Sequence, residues 1–330
     1  MKKLRWGVLG TARIARTLVI PALQASEANE VVAIASRDLA LARAVARDLH
    51  IPVAYGSHDE LLADPTIDAI YNPLPNHLHV PMSIKALAAG KHILCEKPIG
   101  LNADDAQALI EVARQHPQLN AMEAFMYRFH PQWRKVEQLV QDHALGTIRS
   151  LHAQFTYFKD EPENIRNNPE WGGGGLMDIG CYCISVARLL FNAEPLRVCV
   201  KLHQHPEYGV DILTSGILEF AEGNATFSCA TQVEASQFVV ANGERGSVHI
   251  ESPFLRQEKE PSRVTVTHNK VANVLEFDGG DHYLDMVDAF TQAVVNGEPA
   301  PTPLSDALAN MKVIDAAFIS ARTGSWVDIQ

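Results

Sequence analysis

The chain has 330 residues, of which 47% are apolar and 20% charged, so it is long enough for two ordinary domains and is not largely disordered. Asp and Glu outnumber Lys and Arg by 39 to 28, and the net charge of −11 leads us to expect no binding to nucleic acid or to an anionic membrane. No uninterrupted apolar run approaches the roughly 20 residues of a membrane helix. Arg13 and Arg16 interrupt the first apolar stretch, which argues against a secretion signal and predicts a cytoplasmic protein.

The cysteines and histidines give no sign of a metal site. The five cysteines are odd in number and show no C-x-x-C spacing, so we interpret them as free buried thiols. The pairs His77/His79 and His203/His205 would share one face of a strand and could bind zinc, but no third ligand lies at a convincing spacing and H-E-x-x-H is absent. We therefore expect no metal.

Up to about residue 120, short β-branched runs alternate with longer helical patterns. The predicted strands are Leu4–Leu9, Val31–Ala35, Ala69–Tyr71 and Ile93–Cys95, and the predicted helices are Ile14–Ala25, Leu39–His50, Val80–Ala89 and Ala103–His116. This alternation predicts a parallel sheet covered by helices on both faces. Pro21 falls inside the first helix, which we expect to kink or restart there.

After about residue 120, strand-like segments separated by turn residues predominate. The predicted elements are an extended segment Met122–Phe129, helices Trp133–Val140, Met177–Leu190, Tyr283–Val295 and Ser305–Ala321, and strands Arg197–Leu202, Leu213–Phe220, Ala225–Ala230, Val248–Glu251 and Arg263–Thr267, with turns at 222–224 and 242–243. Consecutive strands joined by short turns predict an antiparallel or mixed sheet. We therefore predict an α/β domain over residues 1–122 and an α+β domain over residues 123–330.

A small-residue loop follows the first strand. Its sequence, Gly10-Thr11-Ala12-Arg13-Ile14-Ala15, is the dinucleotide pattern G-x-G-x-x-G with alanine at the second and third glycines. A tight turn and small residues let the backbone approach a pyrophosphate, which the helix N-terminus then favours. Such turns are also common structural connections, but the position after the first strand favours a dinucleotide site. The cofactor-binding residues predicted here are Gly10, Thr11, Ala12, Arg13 and Ile14.

The residues after the second strand indicate which dinucleotide is preferred. An NAD site usually has an acidic residue at this strand end, but Ser36 and Arg37 stand there instead. A hydroxyl followed by a guanidinium suits the adenosine 2′-phosphate, because arginine grips phosphate through two hydrogen bonds. We therefore predict Ser36 and Arg37 as cofactor-binding residues and NADP as the preferred cofactor, with NAD as the alternative. Asp38 leaves two interpretations open, a helix N-cap or a ribose ligand.

Two further strands end in polar, proline-containing segments, Asn72–His79 and Cys95–Pro98. Both segments fall at the carboxyl ends of strands, where open α/β sheets bind ligands. The structural alternatives are a loop with a helix start for the first segment and a surface charge for Lys97. The position of Lys97 at a strand end, before a proline that restricts its backbone, favours a functional role. A cis Lys97–Pro98 bond is compatible with this sequence.

The segment Gly172–Tyr182 is the most informative part of the second half. If the chain is helical from Met177, Asp178 and Tyr182 are neighbours on one helix face. A carboxylate and a phenol beside a glycine loop could bind and deprotonate a hydroxyl, and a nearby ammonium such as Lys97 would favour the phenolate. The structural alternative is an N-capping aspartate and a tyrosine on an amphipathic helix.

Taken in order, these motifs resemble the glucose–fructose oxidoreductase / inositol dehydrogenase family (Gfo/Idh/MocA) from end to end. The resemblance is carried by the segments Gly7–Ala15, Pro75–His79, Ala89–Pro98, Tyr127–Pro131 and Gly173–Tyr182. The chain departs from the pattern only in having Ala12 where many members have glycine, and alanine is also small. The tyrosine at position 182 favours the aldose and dihydrodiol branch, since some members have histidine there.

The resemblance implies a Rossmann domain followed by an α+β domain with an open, predominantly antiparallel sheet that pairs into homodimers or homotetramers. It implies that Lys97 lies near the nicotinamide ribose and the reacting oxygen, that Tyr182 is the general acid/base and that Asp178 orients the substrate. Further cofactor residues implied are Asn72, Leu74, Asn76, His79, Glu96 and Arg128, and Arg166 is implied as a substrate residue.

The activity implied is hydride transfer between NADP(H) and a sugar or polyol, with oxidation of an aldose at C1 to a lactone as the first choice. A trans-dihydrodiol, inositol or ketose dehydrogenase is the nearest alternative. A non-catalytic regulator that binds a dinucleotide is another, but such a sensor has no need of both Lys97 and Tyr182.

Overall fold

Two β-sheets organise the chain, for which the computed structural model describes residues 3–255, 261–278 and 280–330. The first packing unit comprises Met1–Phe129 with Asp281–Leu308, and the second comprises His130–Gly280 with Ala309–Gln330. The predicted division at residue 122 differs from this arrangement, in which the chain returns to the first unit after residue 280. The strand and turn pattern does not mark that return, because it depends on contacts between residues distant in sequence.

The first unit contains a six-stranded parallel sheet in the order β3-β2-β1-β4-β5-β6. Its strands are β1 (Leu4–Leu9), β2 (Asn29–Ala35), β3 (Val53–Tyr55), β4 (Ala69–Asn72), β5 (His92–Cys95) and β6 (Ala121–Glu123), and its first helices are α1 (Ile20–Ala25), α2 (Leu39–Asp48), α3 (His58–Ala63), α4 (His79–Ala88) and α5 (Ala103–Gln115). The predicted parallel sheet is therefore confirmed. The segment predicted as extended over Met122–Phe129 is extended only at its start, because Met126–Phe129 forms a 3-10 turn.

The helix that follows β1 restarts, as the proline inside it predicts. Residues Ala15–Val19 form a π-helical turn, and α1 begins at Ile20. Pro21 therefore lies just after the π-helical turn, where the backbone changes from π-helical to α-helical hydrogen bonding. Single π-helical turns are rare and occur often at functional sites.

The second unit contains a nine-stranded sheet in the order β14-β13-β12-β11-β7-β10-β9-β8-β15. Its elements before the final helices are α6 (Pro131–Gln141), β7 (Ile148–Phe158), α7 (Cys181–Phe191), β8 (Arg197–Gln204), β9 (Asp211–Phe220), β10 (Gly223–Ala230), β11 (Gln232–Gly243), β12 (Gly246–Ile250), β13 (Ser262–His268) and β14 (Val271–Phe277). Among the described strands of this sheet, only β7 and β10 pair in parallel, so the predicted predominantly antiparallel sheet is confirmed. The turn predicted at 242–243 lies two positions later, at Glu244 and Arg245, since Asn242 and Gly243 still belong to β11.

Three elements complete the chain: α8 (His282–Asn296), α9 (Leu304–Thr323) and β15 (Val327–Asp328). Helix α8 packs against the first unit, where the Phe290 ring lies 5.6 Å from the Trp6 ring and Thr291 donates to Asn29. The end of α9 packs against the second sheet, where Ser320 Oγ accepts a hydrogen bond from Val200 N.

The helical segment around α7 forms the core of the second unit. An 18-residue window of Pro169–Phe191 has a mean hydropathy of 1.4, which by composition alone would suit a membrane span. However, 83% of that window is buried inside the protein, as expected for a core helix.

Candidate active site

The loop after β1 adopts a conformation that requires glycine. Gly10 has φ +79°, and a Cβ on it would lie 2.9 Å from Leu74 Cδ2. The Gly10 N–H donates to Ala35 O, which fixes the loop at the carboxyl end of the sheet. Thr11 and Ala12 are half-buried and lead into the π-helical turn, with the Arg16 N–H donating to Ala12 O. This tight turn of small residues before a helix fits a pyrophosphate.

At the end of β2, the structure separates the roles of three neighbouring residues. Asp38 caps α2, since one carboxylate oxygen accepts from Ala40 N at 2.9 Å and from Leu41 N at 3.1 Å. Ser36 Oγ accepts from the Asp38 N–H at 3.2 Å. Arg37 is exposed to solvent.

Two histidines lie within reach of the positive charge of Arg37. Burial lowers the pKa of His58 and of His77, and in both cases the charge of Arg37 lowers it further. An exposed guanidinium beside neutral imidazoles fits a phosphate group, because the cation is left available for an anionic ligand.

The two loops after β4 and β5 are held together by His79. This side chain is 1% exposed, and its ring nitrogens lie 2.7 Å from Pro98 O and 2.7 Å from Leu74 O. Asn72 is fully buried and donates to His79 O, while its Oδ1 accepts from Leu74 N. The structure thus gives Asn72 and His79, both predicted as cofactor-binding residues, the role of holding this loop in place. Their side chains hold Leu74, and the half-buried Asn76 begins a 3-10 turn in the same loop.

The Glu96–Lys97–Pro98 segment lies at the carboxyl end of β5. The Lys97–Pro98 peptide bond is cis. Glu96 is 8% exposed and its Oε1 accepts from the Tyr71 hydroxyl at 2.6 Å. Lys97 is half-buried, and its charge is close enough to lower the pKa of His79. The buried Glu96 therefore anchors a loop that presents the lysine predicted to be catalytic.

His79 makes the stability of the first unit sensitive to pH. Burial, assisted by the charge of Lys97, lowers its pKa to about 4 despite the two carbonyl oxygens. The unfolded chain therefore binds a proton near pH 6.5 that the folded chain does not bind until about pH 4. We expect the free energy of unfolding to fall as the pH is lowered through this window.

Urea unfolding of the wild type and of His79→Gln at pH 7 and at pH 5 measures this contribution. The variant is expected to lose less stability between the two pH values than the wild type, because the other titrating groups are common to both. Equal pH dependence in the two proteins would contradict the assignment.

Arg128, a predicted cofactor residue, is placed in an ion pair of the first unit. Its side chain is 12% exposed, its Nη2 lies 3.0 Å from Asp306 Oδ2, and its guanidinium lies 5.9 Å from the Phe125 ring centroid. Desolvation lowers the pKa of Arg128, but Tyr127 and Asp306 outweigh it, so the net shift is upward. The guanidinium is thus a fixed cation, with one carboxylate already bound.

In the second unit, Asp178 is the centre of a hydrogen-bonded cluster. Its Oδ2 accepts from the Tyr157 hydroxyl at 2.6 Å and from Arg166 Nε at 2.8 Å. Asp178 lies in the π-helical turn Leu176–Gly180 directly before α7, with its side chain 13% exposed. Arg166 precedes the glycine loop, and its side chain is 40% exposed. The structure therefore brings together Asp178 and Arg166, as a substrate site requires.

In this cluster, the pKa values of Arg166 and Tyr157 are both shifted upward. The pKa of Arg166 is raised, chiefly by the Asp178 carboxylate, so the guanidinium remains a cation. Burial and the same carboxylate raise the pKa of Tyr157, so its hydroxyl remains a donor rather than a base. A carboxylate held by two donors is a rigid acceptor.

Tyr182 lies in the first turn of α7 and is 4% exposed. Its ring centroid lies 5.5 Å from Phe155, in an edge-to-face arrangement, and 5.4 Å from Phe254. Packing against these two aromatic rings fixes the orientation of the Tyr182 ring. The predicted acid/base residue is thus a buried phenol in an aromatic cage.

Sequence reasoning missed two residues of this cluster. Tyr157 lies on β7, a strand that was not predicted, although the aromatic and β-branched run Phe155–Phe158 is typical of one. Asp211 is 3% exposed and accepts from Leu176 N, 35 positions away in sequence. Among the described residues, no group of three or more His, Cys, Asp or Glu could hold a metal.

Comparisons with known proteins agree with this architecture. Residues 4–124 match the model of an oxidoreductase family with an NAD-binding Rossmann fold, and residues 133–249 match that of the GFO/IDH/MocA C-terminal domain. The resemblance stated from the sequence motifs is confirmed.

Individual relatives match along most of the chain. It is 38% identical to D-xylose 1-dehydrogenase (NADP(+)) 2 of Haloferax volcanii, over 98% of this chain and 99% of that one. It is 36% identical to trans-1,2-dihydrobenzene-1,2-diol dehydrogenase of Xenopus tropicalis, over 75% of each. The crystal structure of a 3-ketoreductase from Actinomadura kijaniata, in complex with NADP and TDP-benzene, has a TM-score of 0.89 and 31% identity, covering 97% of this chain and 98% of that chain. The protein is therefore an enzyme of the GFO/IDH/MocA family, an oxidoreductase with an NAD-binding Rossmann fold.

Proposed function

We propose that this enzyme oxidises an aldose at C1, with NADP as the hydride acceptor. The C1–H bond gives its hydride to NADP⁺, the C1 hydroxyl gives up its proton, and a lactone and NADPH leave. The observation that carries the proposal is the Tyr157–Asp178–Arg166 cluster, which offers a fixed carboxylate to a hydroxyl-bearing substrate. The 38% identity to an NADP-dependent D-xylose dehydrogenase along the whole chain supports the choice of an aldose.

The first unit supplies the residues that would hold NADP. The backbone of Gly10–Ile14 suits the pyrophosphate, since only glycine at position 10 allows its tight turn. Ser36 and Arg37 are assigned to the 2′-phosphate, and Lys97 to the nicotinamide ribose. When bound, NADP supplies the nicotinamide carbon that accepts the hydride.

The second unit supplies the residues that bind and deprotonate the sugar. Asp178 accepts a hydrogen bond from a sugar hydroxyl and orients the ring, while Arg166 donates to that carboxylate and holds it in place. As the phenolate, Tyr182 takes the proton of the C1 hydroxyl while the hydride leaves C1, and the neutral phenol then returns this proton to solvent. Orientation and proton transfer are the contributions of the chain, and general-base catalysis is worth about 100- to 10,000-fold in rate.

Isotope transfer tests which carbon is oxidised. With D-xylose carrying deuterium at C1, we expect the deuterium to appear in the NADPH formed, as measured by mass spectrometry of the nicotinamide. The deuterium remaining in the sugar product would contradict oxidation at C1. Oxidation of a trans-dihydrodiol or an inositol in place of any aldose would favour the nearest alternative.

We also propose that the enzyme is a homo-oligomer joined through the outer face of the nine-stranded sheet. The inner face packs on α7, with contacts such as Phe155 against the Tyr182 ring. On the outer face, the large apolar side chains of Phe158, Ile217 and Val274 are 66%, 40% and 52% exposed. A second copy of the same sheet would cover these three apolar side chains together with the exposed polar ones between them, such as Ser215 and Thr226.

Replacing Phe158 by Glu is expected to dissociate the oligomer. Burying a phenylalanine contributes about 1.5–3 kcal/mol, and a symmetric interface loses this contribution twice and gains two charges. Light scattering after size exclusion measures the mass, with Val271→Glu, at the hairpin between β13 and β14, as the control. A wild-type protein that is already monomeric would contradict the proposal, as would an unchanged mass of the Phe158 variant.

A further inference from the structure

Asp211 is a buried carboxylate that no step described so far uses. It is the first residue of β9 and is 3% exposed. Its Oδ2 accepts from the Leu176 N–H at 2.7 Å and from the Thr214 hydroxyl at 2.7 Å. The carboxylate thus binds the backbone at the start of the π-helical turn that carries Asp178.

The glycine loop closes directly over this carboxylate. Gly174 has φ +108°, and a Cβ at this position would lie 2.1 Å from Asp211 Oδ1, so only glycine fits. The same glycine donates its N–H to Arg166 O at 2.8 Å, and its carbonyl accepts from the Asp178 N–H at 3.0 Å. Asp211 therefore holds the backbone of Gly175 and Leu176, and the neighbouring Gly174 is hydrogen-bonded to the backbone of both Arg166 and Asp178.

Asp211 lies where a carboxylate is favoured, at the N-terminal end of a helical segment. Burial raises its pKa, while the bonds from Thr214, Leu176 and Gly175 act in the opposite direction. The residues that it binds begin a continuous helical segment from Leu176 to Phe191, and a negative charge at a helix N-terminus is favoured by the helix dipole. A charged acceptor accepts such backbone N–H groups more strongly than a neutral amide does.

We propose that Asp211 is a positioning residue of the active site, which acts through the glycine loop to set the place of Asp178 and Arg166. This inference rests on the proposed role of Asp178 in orienting the substrate. Asp211 itself does not touch the reacting atoms. A small displacement of an orienting group costs much of the rate, because catalysis depends on a near-attack geometry.

A double-mutant cycle separates positioning from simple destabilisation. With D-xylose and NADP, Asp211→Asn is expected to lower kcat/KM by about 10-fold, and to lower it by less than about 2-fold when Asp178 is already replaced by Asn. Thr214→Val removes one hydrogen-bond donor to the Asp211 carboxylate. It is expected to lower kcat/KM by a smaller factor than Asp211→Asn and to show the same coupling with Asp178→Asn. This variant replaces Asp211→Asn in the cycle if Asp211→Asn does not fold. Ser320→Ala is the control, because Ser320 is a buried polar residue of the second unit remote from this chain of bonds.

Multiplicative effects of Asp211→Asn and Asp178→Asn would overturn the inference, as would a wild-type kcat/KM in Asp211→Asn. If Asp178→Asn alone leaves activity unchanged, the proposed function is what fails.

Amide hydrogen exchange tests the same point without turnover. Exchange across Gly172–Asp178 is expected to be about 10-fold faster in Asp211→Asn and unchanged in Ser320→Ala. Unchanged exchange in Asp211→Asn would overturn the inference even where D-xylose is not oxidised.

Discussion

Replacing Tyr182 by Phe is expected to lower kcat by about 100- to 10,000-fold, because the proposed general base is removed while the ring remains. The packing against Phe155 and Phe254 is kept, since phenylalanine has the same ring. The affinity for NADP is expected to be unchanged, as the residues assigned to NADP lie in the other unit. Stopped-flow or steady-state formation of NADPH measures the rate, and fluorescence titration measures the affinity.

Tyr157→Phe is the matched control for this prediction. It removes a second phenol from the same cluster, but one whose pKa is raised and whose hydroxyl donates to Asp178. Loss of one charge-assisted hydrogen bond is expected to cost about 10-fold in kcat/KM. Equal turnover of Tyr182→Phe and the wild type would contradict the acid/base assignment, and so would a larger loss in the control.

Replacing Arg37 by Ala is expected to weaken NADP by about 10- to 100-fold and to leave NAD nearly unchanged, because a hydrogen bond to a charged group contributes about 1.5–3 kcal/mol. Only NADP carries the 2′-phosphate that this exposed guanidinium would bind. Dissociation constants for both cofactors, measured by fluorescence titration, decide the prediction. They also establish which cofactor the wild type prefers.

Arg43→Ala is the control for the loss of a positive charge. Arg43 is an exposed arginine of α2, the helix that follows Arg37, and has no assigned contact with cofactor. Arg43→Ala is expected to change the dissociation constants for NADP and NAD by no more than about 2-fold, because salt screens the long-range effect of an exposed charge. A loss in Arg37→Ala that is the same for NADP and NAD would contradict a 2′-phosphate site.

The first unit could be predicted closely because its strands are buried on both faces. Short apolar runs such as Trp6–Leu9 and Ala69–Tyr71 stand out, and Pro21 marks the start of α1. The short strand Val53–Tyr55 was missed because its residues are only partly buried. The contribution of α8 was missed because it depends on contacts such as that of Trp6 with Phe290.

The second sheet was harder to predict, because its strands expose one face. In β11, residues 233–236 are exposed, so the strand has little apolar signal. The Asn242–Gly243 pair has the composition of a hairpin turn but lies within the β11 ladder, with Asn242 opposite Ser150 of β7. The hairpin turn between β11 and β12 lies two positions later, at Glu244 and Arg245, because the register of the strand pairing decides its place.

In the candidate site, the residues of the sequence motifs could be predicted, but the residues that hold them in place through hydrogen bonds could not. Asp178 and Tyr182 stand out beside the glycine run, but Tyr157 and Asp211 reach the same place from separate strands. The glycine at position 174 indicates that a group approaches closely, without indicating that this group is Asp211.

The formation of NADPH from NADP⁺ and a panel of sugars tests the central claim most directly. The panel contains D-xylose, D-glucose, an inositol and a trans-dihydrodiol, each also assayed with NAD⁺. We expect NADPH from at least one of the aldoses, at a higher kcat/KM with NADP⁺ than with NAD⁺. A protein that binds NADP⁺ but oxidises neither aldose, or oxidises only the dihydrodiol or the inositol, would contradict the proposed aldose dehydrogenase.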